Sequence, residues 1–133
     1  MLTLAELRDW LSEQDPELVD RIAVGAIDGN QQRYVGVYGR RGSTAQRICV
    51  GGSEMTAYQH KKVSILVHWT NSSVEAEQKA DSIYSLLYGL RDAQMGNTRV
   101  YLADPGEAPV PVGKDSAGIC EYVIEADIVY ERN

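Results

Sequence analysis

The chain has 133 residues, 44% apolar and 24% charged, with a formal net charge of −6. That length fits one domain, and that balance is too apolar for a disordered tail. No run approaches the ~20 uncharged apolar residues that a spanning helix needs, and the early acids in MLTLAELRDWLSEQD argue against a signal peptide. The expectation is one cytosolic domain over 1–133, with a helix at 3–15 and the sheet and a second helix within 21–132. Charge is uneven. Residues 1–20 hold six acids and one base, whereas residues 21–62 hold seven bases and two acids. A basic segment between acidic flanks lets copies attract head to tail, although an ordinary solvated surface explains the same numbers. Phe is absent and Tyr occurs eight times. Tyrosine packs its ring and keeps a hydroxyl for water or a partner.

In chain order, Thr3 with Glu6 forms a capping box, and Leu4, Leu7, Trp10 and Leu11 make one apolar stripe on the first helix. Pro16 marks its end. RIAVGAI reads as a strand closed by the turn Asp28-Gly29-Asn30. In RYVGVYGRR, Tyr34, Gly36 and Tyr38 share one face and Val35 and Val37 the other. After Gly42-Ser43, AQRICVGG reads as a further short strand. Residues 57–70 give the clearest strand, with Val63, Ile65, Val67 and Trp69 alternating with Ser64, Leu66, His68 and Thr70. Ser72 with Glu75 predicts a second capping box. The helix it opens should bury Ala76, Ala80, Ile83, Leu87 and Leu90 and run on until Gly96-Asn97 releases the chain. TRVYLAD is then a strand, and the segment 103–118 a turn-rich loop. Pro105, Pro109 and Pro111 confine any strand in that loop to an edge. In the last strand Cys120, Tyr122, Ile124, Ala126, Ile128 and Tyr130 share one face. Glu121, Val123, Glu125, Asp127, Val129 and Glu131 form an acidic, wet one. This order predicts an α+β fold with two helices packed on one face of a mostly antiparallel β-sheet.

Little in the chain carries chemistry. His60 and His68 lie eight residues apart on one strand, roughly 26 Å at ~3.3 Å per residue, too far to share a metal. Cys49 and Cys120 each sit in an apolar stretch and read as small buried thiols. Gly36, Gly39 and Gly42 precede no strand-to-helix turn, so they form no phosphate-binding loop. The pairs Glu121/Glu125 and Glu125/Asp127 fit a solvated sheet edge better than acid–base catalysis. No catalytic, metal or cofactor site is expected.

The order YVGVYGRRG, RICVGG, KKVSILVHWT, EAEQKADSIYSLL resembles the bacteriophage minor capsid / tail-completion family. So does the C-terminal segment, with Val112, Gly113, Lys114, Asp115, Gly118 and Tyr130 in the family's pattern. The likeness covers residues 33–132, while 28–32, DGNQQ, depart from the family's proline-containing segment. The resemblance implies a tail terminator: a hexameric ring on the last ring of the tail tube that stops growth and meets the head connector. It implies no cofactor and no catalytic residue. It also implies a virion location after assembly in the host cytoplasm, with DNA only as passing cargo. A monomeric head-closure adaptor, or a small ligand-binding domain, is the alternative. Contacts with neighbours are expected from the basic loop, Arg40, Arg41, Ser43, Thr44 and Arg47, and from the proline loop, Asp104, Glu107, Lys114 and Asp115. Solvated turns are the plain alternative for both.

Overall fold

The computed structural model describes residues 1–25, 31–40 and 58–132. Helix α1 spans Leu4–Gln14. Its N-cap Thr3 accepts the amide of Glu6 at 3.1 Å while the Glu6 carboxylate accepts the amide of Thr3 at 3.0 Å, the expected box. A single 3-10 turn, Pro16–Leu18, follows. The strands are β1 Ile22–Val24, β2 Tyr34–Gly39 and β3 Tyr58–His68, then, after helix α2 Ser73–Leu87, β4 Arg91–Met95, β5 Thr98–Asp104, β6 Val110–Lys114 and β7 Cys120–Glu131. The segment AQRICVGG, with Cys49, lies outside the described residues.

Two sequence expectations need correction. Helix α2 stops at Leu87 rather than running to Gly96. Gly89 takes φ 74, a backbone state that ends helices readily. RDAQM becomes a strand, and Gly96-Asn97 is a two-residue hairpin loop with the glycine first, at φ 60. Leu90 leaves the helix yet still packs against the core. The second capping box is only half formed. Ser72 accepts the amide of Glu75 at 3.3 Å, but the Glu75 carboxylate takes the hydroxyl of Thr70 at 3.0 Å instead.

The strands form one mixed sheet in the order β1-β2-β3-β7-β5-β4, with β6 also on β7. β1 runs parallel to β2, and the other described pairings are antiparallel. β3 and β7 are its spine, paired from Tyr58 with Glu131 to His68 with Glu121. β7 shares its other side between two strands: β6 pairs with its first half and β5 with its second. One face carries Val35, Val37, Val63, Ile65, Val67, Ile124, Ala126 and Ile128. These pack with Leu7, Trp10 and Leu11 of α1 and Ala76, Ala80, Ile83 and Leu87 of α2 in a single buried cluster. Alternation along each strand puts these side chains on one side, so burying them leaves the opposite face polar.

Candidate assembly surfaces

Of the expected contact residues, Arg41, Ser43, Thr44 and Arg47 lie outside the described residues. Arg40 closes β2, where its amide donates to the carbonyl of Lys62 at 2.9 Å and its guanidinium meets Glu125 at 2.7 Å. Asp104 ends β5 and Glu107 sits in the following loop. Together with Lys62 and Asp127 these residues line a concavity of about 580 Å³ between that loop and the polar sheet face. Thus Arg40 shares one hollow with Asp104 and Glu107, which are distant from it in sequence.

Lys114 and Asp115 lie toward the other end of β7, beside Cys120, which is a buried thiol. One Asp115 oxygen accepts the amides of Ala117 and Ile119, both at 2.9 Å, and so shapes the turn into β7. The other stands 3.8 Å from the Nε2 of His68. Asp115 is therefore partly spent on its own turn, while Lys114 stays exposed.

The polar face is less wet than its acidic strand implies. Register puts Lys62 opposite Asp127 and His68 opposite Glu121. Lys62 lies 3.9 Å from Asp127, His60 3.1 Å from it, and His68 2.9 Å from Glu121. His68 is buried, with 1% of its side chain exposed. The carboxylates of β7 thus have cross-strand cations or imidazoles as neighbours, which the sequence reading missed. Period 2 placed both sets on faces, but only the register joins them. Each exposed pair contributes at most about 1 kcal/mol, so the ladder fixes side-chain positions more than it stabilises the fold.

A second hollow, of about 560 Å³, lies on the helix side between α2 and the proline segment. Tyr122 stands in it, its hydroxyl donating to Glu77 at 3.4 Å. Desolvation and the neighbouring Glu77 carboxylate push this phenol above its ordinary pKa, so it stays a neutral donor at physiological pH. Among the described residues no cluster of three or more His, Cys, Asp or Glu side chains could hold a metal ion, and no helix is long and apolar enough to cross a membrane.

The model of the bacteriophage tail terminator protein family matches residues 4–132. The chain belongs to that family. Tail terminators are structural proteins rather than enzymes, and membership makes this chain a virion component. Among solved structures, the gp17 protein of bacteriophage SPP1 is 13% identical, with 98% of this chain and 88% of that one covered at a TM-score of 0.42. Another solved chain is 18% identical, with 96% and 87% covered and a TM-score of 0.45. No curated protein matches this chain.

Proposed function

We propose that this tail terminator forms a ring, six copies round, on the last ring of the tail tube. The ring stops tube growth and presents its far surface to the head connector. The observation that carries the reading is the family match along nearly the whole chain. The charge distribution supports it: a cyclic ring uses one interface in which patch A meets patch B of the next copy, and a basic segment between acidic flanks supplies two unlike patches. Assembly takes place in the host cytoplasm, and DNA passes through the ring as cargo.

The test is binding of the purified protein to tail tubes assembled from tube protein alone. The expected result is six copies per tube at one end, with elongation halted. A protein that leaves elongation unchanged contradicts the reading. Failure to bind tubes combined with binding to isolated head connectors favours the monomeric adaptor. Within this reading the hollow of Arg40, Asp104 and Glu107 faces a neighbour in the ring, tail or connector. The double variant Arg40→Glu with Arg41→Glu should reduce assembly and leave the domain folded, because the Arg40–Glu125 pair is worth at most about 1 kcal/mol. Normal tails from that variant would count against this placement.

A further inference from the structure

The corner that leads into β1 is built unusually. The amide of Arg21 donates to the carbonyl of Leu18 at 2.9 Å, closing a tight turn over Val19 and Asp20. Val19 takes φ −60 and ψ 126, and Asp20 takes φ 63. That is the type II pattern, which asks for glycine or asparagine at the Asp20 position. Val19 is 55% exposed there, followed by the exposed Asp20 and Arg21. Among the described residues the guanidinium of Arg21 donates to the side chain of Gln31 and the carbonyl of Gln32, at 3.4 and 3.5 Å, and makes no ion pair.

The hollow beside α2 has the complementary character. Val74, Glu77 and Asp81 recur at spacings of three and four, so they form one outward stripe on the helix. They face Pro109, Pro111 and Tyr122 across the groove. Val74 is 64% exposed. Glu77 and Asp81 make no ion pair among the described residues, because Lys79, the helix's one cation, turns inward to Asp15 and Glu17. The groove thus sets apolar side chains, Val74, Pro109 and Pro111, beside two carboxylates that make no ion pair among the described residues.

The corner and the groove lie at opposite ends of one row of the sheet. Ile22 pairs with Val35, Val35 with Val67, Val67 with Tyr122 and Tyr122 with Pro111. Four strand spacings separate the ends, about 19 Å. We propose that a second copy of this chain occupies the groove, seating its Val19 against Val74 and the prolines and its Arg21 between Glu77 and Asp81. The contact is heterologous, one edge of each copy meeting the opposite edge of the next, as a closed ring requires. Lone apolar side chains on surfaces are commonplace, but here Val19 has a cation two residues on, past Asp20, and Val74 has two carboxylates on its own helix face, and among the described residues none of Arg21, Glu77 and Asp81 makes an ion pair.

This inference rests on the ring reading, and its test separates the two. Ring formation on tail tubes is measured for the wild type, for Glu77→Arg with Asp81→Arg, for Arg21→Glu, and for one chain carrying all three changes. All these positions are exposed, and circular dichroism checks each fold. Each reversal alone should lower assembly at least tenfold, and the combined chain should recover it, since its corner and groove again attract. Val19→Ser should weaken assembly without any change in charge. Single reversals that assemble like the wild type overturn the inference. So does a combined chain as defective as the single reversals, which would mean that a different virion protein fills the groove. A wild-type chain that forms no ring on tubes overturns the ring reading itself.

Discussion

Glu6 joins three parts of the chain through one carboxylate. It closes the capping box on Thr3, and its second oxygen accepts the amide of Asn97 at 2.8 Å and the hydroxyl of Thr98 at 3.1 Å. Burial alone would raise its pKa, but these hydrogen bonds outweigh it and hold the carboxyl below its ordinary value of 4.5. A depressed acid contributes stability that is fully present above its unfolded pKa. That stability is lost as pH falls through the folded one. Thr3→Ala should therefore lower stability by about 1 kcal/mol at neutral pH. Glu6→Gln should flatten the part of the stability-against-pH curve that lies below pH 4.5, which urea titrations at several pH values would show. Gly96 belongs to the same knot. Its φ is 60, and a Cβ there would meet the Glu6 Oε2 at 2.7 Å. Gly96→Ala should cost more than the ~1 kcal/mol of a left-handed alanine alone, because it also displaces Glu6.

At the scale of elements, Lys79 ties α2 to the turn after α1. It is 9% exposed, pairs with Asp15 and with Glu17 at 2.7 Å, and lies 5.0 Å from the centre of the Trp69 ring. Its partners are unequal, Asp15 being 15% exposed and Glu17 48%, so Lys79→Ala mainly strips the charged hydrogen bond from Asp15 and should destabilise by about 2 kcal/mol in thermal or urea unfolding. The first helix, the start of the second, the long strand and its face, and the edge position of the proline strand were legible in the sequence. Capping residues and periods of 2 and 3.6 are local signals. RDAQM was not legible. Its alternation is weak, since Ala93 and Met95 are its only apolar residues, and Asp92 breaks it with φ 53. Lys79 read as one more solvated charge, because its burial depends on acids 62 and 64 positions away. The cross-strand pairing of Lys62 with Asp127 was invisible for the same reason: register is not a local property.

At the scale of the molecule, the missing Phe and abundant Tyr acquire a meaning. Tyr84, Tyr122 and Tyr130 each pack a ring at the margin of the core while the hydroxyl bonds Gly106, Glu77 or Gln59. Phenylalanine would bury the same area and leave those partners unmet. Among the described residues, a sheet with helices on its buried side also leaves a polar face and two unlike edges uncovered. Such a domain suits assembly, where contacts form on several sides at once. The central claim is that this tail terminator ends tube growth, and the most direct measurement is the distribution of tail lengths. Electron microscopy of lysates from phage lacking this gene should show tails of uncontrolled length, restored to one length by the wild-type chain supplied in trans. Tails of normal, uniform length in the mutant lysate would contradict the account.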